Sequence, residues 1–213
     1  MVAEDRRTER HRATRREILG AAWDLAGEHG LAGWSLRDLA VRVGMRAPSL
    51  YGYFDSKHAV FDALFAEGCA ALLDRIDAAL ADLEERQAGP AEALDVAAEL
   101  FFAFCVEDPP RHQLLFLRTL PGFEPSPDAY ALAVQALDRL AMVLAAAGAG
   151  SREQVDLWTA LFTGLATQQV TNDPGGDRWH RLLGPATAMF RAATPAGPRS
   201  PGAAPEAAPT IRP

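Results

Sequence analysis

The chain has 213 residues, of which 49% are apolar and 23% are charged, a composition typical of globular proteins and a length suited to one or two domains. No apolar run reaches the ~18 residues of a membrane-spanning helix, and the charged N-terminus lacks the apolar core of a signal peptide. We therefore expect a cytoplasmic protein that contacts no membrane. Its two cysteines, Cys69 and Cys105, are expected as free buried thiols, with a disulfide as the less favoured alternative.

The formal net charge of −7 is unevenly distributed along the chain. Residues 1–58 hold 10 basic and 8 acidic side chains, a net +2, whereas the remainder holds 11 and 20, a net −9. A basic end on an acidic body would present one face to a polyanion such as nucleic acid. Ordinary scatter of solvated charges is the alternative interpretation of this pattern.

The first predicted region is an arginine-rich segment, residues 1–13, with few apolar side chains. This composition predicts a flexible basic arm; such runs are most often merely solvated, but arms of this kind can enter a minor groove. Thr14 and Glu17 have the spacing of a capping box, so the first helix is predicted to begin at Thr14. It is predicted to end at Gly30, since glycine favours the left-handed conformation that follows a helix.

Two short helices are predicted next. Ser35 and Asp38 form a second capping box, and Gly44 ends the helix that this box opens. Pro48 fits a helix only in its first turn, so the third helix is predicted to begin near residue 46 or 47 and to reach Phe54. Two helices joined by such a turn are typical of a helix-turn-helix.

The remainder of the chain is predicted to be helical up to a proline-rich end. Gly184-Pro185 predicts a kink or break in the last helix, and the six prolines of residues 194–213 predict disorder. No strand and no internal repeat is evident, so we predict an all-α fold of about nine helices. The later helices are predicted over residues 56–87, 91–108, 111–120, 128–147, 151–171 and 177–193.

These features together resemble a known family. The segments Ile18-Leu-Gly-Ala-Ala and Arg37-Asp-Leu-Ala, followed by Leu-Tyr-Gly-Tyr-Phe-Asp-Ser-Lys at residues 50–57, are similar to the N-terminal domain of TetR/AcrR-type transcriptional regulators. The resemblance covers roughly residues 14–64; beyond it only the succession of helices is similar. It implies a helix-turn-helix DNA-binding domain over residues 14–58, between the arm and a larger helical effector-binding and dimerisation domain over residues 59–193.

The resemblance also implies which residues contact DNA. Ser49, Tyr51, Tyr53 and Lys57 match positions that hold the DNA backbone, and hydroxyl and ammonium groups suit phosphate. For Tyr51, packing in the core is the alternative. The remaining candidates would face bases or their surroundings, with Arg46 able to donate two hydrogen bonds to a guanine. These candidates are Trp34, Ser35, Arg37, Arg46, Ala47, Pro48 and Gly52.

Gly52 leaves part of the predicted reading surface without a side chain, and Ala47 and Pro48 offer only apolar surface suited to thymine methyl groups. We therefore expect operator choice to depend on Arg46, on Arg37, Trp34 or the N-terminal arm, and on DNA shape.

One helix-turn-helix reads few base pairs, so a homodimer is expected. The resemblance implies that its interface lies on the last two long helices, with packing within one subunit as the alternative for each residue. The predicted interface residues are Val155, Leu161, Leu165, Trp179, Leu182, Leu183 and Phe190.

Aromatic residues mixed with a few polar ones in the middle and late helices suggest a cavity for a small apolar or aromatic effector. A hydrophobic core is the competing interpretation. The predicted effector-binding residues are Phe101, Phe104, Cys105, Phe116, Thr119, Trp158, Phe162 and Gln168.

The sequence shows no catalytic or metal-binding motif: the five histidines lack ligand spacing, and no Gly-rich phosphate loop follows a strand. We expect no cofactor, no metal and no enzymatic activity. The expected function is a ligand-responsive repressor that binds double-stranded operator DNA as a homodimer. The alternatives are a DNA-binding activator or ligand-independent regulator, and an all-α interaction or enzymatic module without DNA binding.

Overall fold

The structure is a computed structural model that describes residues 2–193, with side chains described from Arg6 onward. Within that range the chain forms nine α-helices and no strand, which confirms the all-α prediction. The predicted tail, residues 194–213, lies outside the described residues. The helices are α1 (Val2–His29), α2 (Leu36–Arg42), α3 (Ala47–Leu50), α4 (Lys57–Glu85), α5 (Pro90–Glu107), α6 (Pro109–Phe116), α7 (Pro127–Ala146), α8 (Arg152–Asn172) and α9 (Leu183–Ala193), with a 3₁₀ helix at His180–Leu182.

Helix α1 begins twelve residues earlier than predicted, at Val2 instead of Thr14. The prediction of a flexible arm over residues 1–13 is therefore wrong for residues 2–13. These residues include no glycine or proline, and their arginine, glutamate and alanine side chains favour helix. Glu9 also lies 3.9 Å from Arg12 and 3.8 Å from Arg16 along the helix. The Thr14–Glu17 pair thus lies inside a continuous helix and caps nothing.

The predicted turns at Gly30 and Gly44 and the predicted start of α2 are confirmed. Gly30 and Gly44 adopt positive φ angles of 73° and 67°, which glycine tolerates without strain. Ser35 and Asp38 form the predicted capping box at the start of α2. Helix α3 begins where Pro48 requires, but it is only four residues long and ends at Leu50 instead of the predicted Phe54.

The chain divides into two compact units, and the first contains the residues up to Gly68 together with Pro110–Ala129. The predicted domain boundary at residue 58 therefore falls ten residues early, and residues 110–129 belong with the helix-turn-helix. Two contacts explain this grouping. The Asp62 carboxylate accepts hydrogen bonds from the Ser126 backbone N–H at 2.6 Å and from its hydroxyl at 2.9 Å. The Phe123 ring packs edge-on against Phe61, with 5.9 Å between centroids.

The second unit contains Cys69–Pro109 and the residues from Tyr130 onward. In it, α5 packs against α8 and α9. Buried Gln169 fixes the turn that follows α8: its side-chain oxygen accepts from the Trp179 N–H at 2.9 Å, and its amide donates to the carbonyls of Asp173 and Gly176. Because a buried amide is costly to leave unpaired, this network fixes how the chain enters α9.

Two further predictions can be compared with the second unit. The expected break at Gly184-Pro185 occurs just before it, because α9 begins at Leu183 and places these two residues in its first turn. Both cysteines are buried thiols, as predicted, and burial raises the pKa of Cys69 to about 12.

By length and composition, helix α7 could cross a membrane, a property that core helices of soluble proteins share. Asp138 and Arg139 interrupt its apolar run, and Arg139 pairs with Asp77 at 2.9 Å. Since charges in the middle of a bilayer are costly, these residues favour a helix within a folded domain.

Candidate nucleic-acid interface

The short helix α3 presents a polar edge to solvent. Arg46, at its N-cap, and Ser49 are exposed, and the Tyr51 side chain is 55% exposed. On the opposite side Leu50 and Phe54 are buried and fix the segment to the core of the first unit. The fold therefore separates the anchoring side chains of this segment from those that can meet a ligand.

The remainder of the surface predicted to contact bases carries few polar side chains. Pro48 and Gly52 are exposed and Ala47 is half-buried, so the segment offers little side-chain chemistry beyond Arg46. A Cβ added at Gly52 would lie 3.3 Å from the Ser49 carbonyl oxygen, closer than ordinary van der Waals contact. Glycine at this position therefore suits the tight turn by which α3 ends.

At the start of α2, Arg37 is exposed, whereas the Ser35 hydroxyl is already engaged. It donates to the Asp38 carboxylate at 2.7 Å and accepts from the Asp38 N–H at 3.3 Å. These bonds hold the pKa of Asp38 below its usual range. Arg37 is thus the side chain in this region that stays available to a polyanion, while Ser35 builds the helix start.

Trp34 is 4% exposed, so the prediction that its side chain helps to read DNA is wrong. Its indole packs edge-on against Phe61 at 5.5 Å, and the Lys57 ammonium lies 4.4 Å from its ring centroid. Burial of this large apolar ring in the core stabilises the fold, whereas exposure to solvent would forgo that free energy.

The Lys57 ammonium holds the loop between α1 and α2. It donates to the Trp34 carbonyl at 2.5 Å and to the Ala32 carbonyl at 3.2 Å, and burial lowers its pKa. An ammonium has three N–H groups, so these bonds leave one for a phosphate. The phosphate contact implied by the family resemblance therefore stays a prediction, alongside this structural role.

The role of Lys57 in the fold leads to a stability prediction. Lys57→Met keeps the side-chain length but removes both carbonyl contacts, and we expect it to lower the free energy of unfolding by about 2 kcal/mol, the scale of hydrogen bonds to charged groups. Arg152→Met, which removes one exposed positive charge from the start of α8, is the control and should change it by less than about 0.5 kcal/mol. Chemical denaturation measures both, and equal values would contradict the role.

Helix α1 contacts the end of this segment through two residues that were not predicted to belong to the site. The His11 ring stacks on Tyr53, with centroids 4.6 Å apart and planes 22° apart. The Arg15 guanidinium donates to the Tyr53 carbonyl at 3.1 Å and lies 4.2 Å from the Phe54 ring centroid. The four-residue spacing of Arg7, His11 and Arg15 was the available signal, but treating residues 1–13 as an arm concealed it.

The predicted effector-binding residues are divided between the two units. Phe116 and Thr119 belong to the first unit and the other six to the second. Thr119 and Gln168 are exposed, so their prediction as cavity residues is not supported; Gln168 instead accepts from the Asn172 amide at 2.6 Å. The others in the second unit are buried: Phe101, Phe104, Cys105, Trp158 and Phe162.

Trp158 is the centre of an aromatic cluster in the second unit. Its ring lies 4.5 Å from that of Phe162 and 5.6 Å from that of Phe101, between centroids. The side chain is almost completely buried, yet its indole N–H has no hydrogen-bond partner. Because buried donors are normally paired, this N–H is suited to an acceptor on a bound molecule.

The predicted dimer residues divide into buried and accessible sets. Val155, Leu183 and Phe190 are buried within the second unit, so their assignment to an interface is wrong. The reason is that α8 and α9 both pack against α5, and each turns part of its apolar surface inward. Leu161, Leu165 and Trp179 are half-buried and Leu182 is exposed. Leu157 and Met189, which belong to the same apolar surface of these helices, are 50% and 68% exposed.

Among the described residues, no group of three or more His, Cys, Asp or Glu side chains lies where it could hold a metal ion.

Comparison with known proteins adds to this geometry. Residues 18–64 match the family model of bacterial regulatory proteins of the tetR family. A 47-residue segment is 45% identical to the class A tetracycline repressor protein from transposon 1721 of Escherichia coli, covering 22% of each chain. A 105-residue segment is 28% identical to the HTH-type transcriptional regulator YobS of Bacillus subtilis (strain 168), covering 49% of this chain and 52% of YobS. The chain thus aligns with about a fifth and about half of these curated relatives.

A solved structure shows the same fold over most of the chain. The transcriptional regulator FadR from Bacillus subtilis, in complex with stearoyl-CoA, superposes with a TM-score of 0.67 at 18% identity. The match covers 83% of this chain and 97% of that one. The likeness therefore extends well beyond the segment that the family model matches.

Proposed function

We propose that this chain, which belongs to the tetR family of bacterial regulatory proteins, is a cytoplasmic homodimeric repressor that a small apolar effector releases from its operator. The observation that carries the proposal is the capped helix α2, the left-handed turn at Gly44 and the exposed edge of α3. This arrangement suits a recognition helix that enters the major groove of DNA. A gel-shift assay on DNA flanking the gene tests it, with an excess of random-sequence DNA as competitor.

The contacts with DNA divide into backbone and base contacts. The hydroxyls of Ser49, Tyr51 and Tyr53 bind phosphates, and the remaining N–H of Lys57 adds charge to the same contact. Arg46 binds a guanine edge in the major groove. Exposed Arg37 supplements it at the start of α2. Since Ala47, Pro48 and Gly52 offer few polar groups, sequence-dependent DNA shape supplies the remaining selectivity.

A second copy of the chain covers the accessible face of α8 and α9. Leu157, Leu182 and Met189 are exposed large apolar residues on or next to these helices. Gly164 is exposed as well, with open space around it. A dimer provides two helix-turn-helix domains. Two are needed because one such domain contacts only a few base pairs.

The effector binds in the second unit, next to Trp158. The aromatic rings around Trp158 suit an apolar ligand, and its unpaired N–H suits an acceptor atom on that ligand. The stearoyl-CoA bound by the FadR of Bacillus subtilis supports a ligand with a long apolar chain and a carbonyl group. Effector and operator favour different arrangements of the two helix-turn-helix domains, so each weakens the binding of the other.

Trp158→Phe tests the effector site, because it keeps the ring and removes the N–H. We expect about fivefold more stearoyl-CoA to be needed to release the operator, since one buried hydrogen bond contributes about 1 kcal/mol. Trp23→Phe, in the first unit, is the matched control and should leave release unchanged. Equal behaviour of the two variants would contradict the role of Trp158.

The alternative functions predict other results in the same assays. Operator binding that no apolar ligand or cell extract alters would indicate a ligand-independent regulator. Increased transcription from the bound site would indicate an activator. Absence of any preference for a DNA site would favour an all-α interaction or enzymatic module.

A further inference from the structure

The face of α1 that contacts the recognition segment continues toward the N-terminus. Arg7, His11 and Arg15 are spaced by four residues, so they lie on one face of the helix, about 6 Å apart along its axis. His11 contacts the Tyr53 ring, and Arg15 contacts the Tyr53 carbonyl. Arg7 follows one turn further along and is exposed.

We propose that this stripe is a second DNA-backbone contact, in which Arg7 binds a phosphate next to the one held by Tyr53, while His11 and Arg15 position Tyr53. The inference rests on the proposed function, since it assigns Tyr53 to the DNA backbone. It replaces the expected flexible arm with the N-terminal part of helix α1, which extends the interface.

Positioning of Tyr53 follows from its two contacts with α1. Arg15 binds its main chain, and the near-parallel His11 ring covers one face of its side chain. A half-buried tyrosine held in this way has few accessible rotamers, so its hydroxyl points in one direction before DNA binds. Preorganisation of this kind lowers the entropy lost on binding.

The choice of Arg7 follows from the charges on α1. Arg12 and Arg16 lie within 4 Å of Glu9, and both Glu9 and Arg16 are on the side of the helix away from the stripe. Arg7 takes part in neither of these pairs. A planar guanidinium donates two parallel hydrogen bonds to a phosphate, which makes arginine well suited to a backbone contact.

Arg7→Ala, compared with Arg16→Ala, tests the phosphate contact. Both variants remove one exposed positive charge from α1, and position 16 lies on the far side from the stripe. We expect Arg7→Ala to weaken operator binding about tenfold, to weaken random-sequence DNA similarly, and to reduce the salt slope by about one. Arg16→Ala should stay within about twofold of the wild type, because exposed charges are largely screened by salt. Equal effects of the two variants would overturn the contact.

His11→Ala, compared with His11→Phe, tests positioning. Loss of the ring should weaken operator binding about fivefold with an unchanged salt slope, since no phosphate contact is removed. Phenylalanine keeps the stack and should restore affinity to within about twofold. Equal weakening by both variants would overturn the positioning role.

The outcomes also separate this inference from the proposed function. If the wild type selects an operator but Arg7→Ala behaves like Arg16→Ala, only the α1 contact is contradicted. If the wild type shows no site preference, the proposed function is contradicted, and the inference with it.

Discussion

Ser49→Glu is expected to weaken operator binding at least about 100-fold. Ser49 lies on the exposed edge of α3, where the proposed interface meets the phosphate backbone. A carboxylate there loses a hydrogen-bond donor and places like charges together, which costs several kcal/mol in an interface. Since about 1.4 kcal/mol corresponds to tenfold in affinity, a hundredfold loss is the conservative expectation. Fluorescence anisotropy with labelled operator DNA measures it.

Gly20→Glu is the matched control for this charge change. Gly20 is an exposed residue of α1 with open space around it, so the side chain fits without strain. On the helix it points away from the stripe that contacts Tyr53. The control should therefore bind operator within a few-fold of the wild type. If Ser49→Glu bound as well as Gly20→Glu, α3 would not be the recognition helix.

Gly164→Arg is expected to convert the dimer into monomers and to abolish operator binding at working concentrations. Gly164 lies on the accessible face of α8, and an arginine there has room in the isolated chain. A second copy packed on the same face would bury this charge without a partner, a strongly destabilising change. Sedimentation analysis measures the oligomeric state, and circular dichroism checks that the helices persist.

Ala103→Arg provides the comparison, because Ala103 is an exposed residue of α5, outside the proposed interface. This variant should remain dimeric and bind operator normally. If the Gly164→Arg variant remained dimeric, the interface would lie elsewhere. The exposed apolar residues of α8 and α9 would then need another explanation.

Local signals in the sequence predicted most of the helix-turn-helix. The capping box predicted at Ser35 was correct because a side-chain cap there follows a turn, and Ser151 forms a similar box at the start of α8. Thr14 has the same spacing, but helix-favouring residues precede it, so the helix continues through it. Spacing alone cannot distinguish these two cases.

The errors at the candidate sites arose from burial, which depends on tertiary packing. Trp34 was assigned to DNA and Val155 to an interface, yet each is buried in its own unit. Lys57 was assigned to phosphate alone, but its ammonium also binds two loop carbonyls from residues more than twenty positions away. The stack of His11 on Tyr53 joins residues 42 positions apart, and no local pattern specifies such a pair. What could be predicted was the edge of α3, because helix caps and the position of Pro48 are local.

Operator binding by a dimer can be tested by footprinting of the purified chain on DNA flanking its own gene, repeated at several salt concentrations. We expect one protected site with two symmetry-related half-sites, bound by two chains, with an affinity that falls steeply as salt rises. Protection that never exceeds that of random-sequence DNA would contradict it.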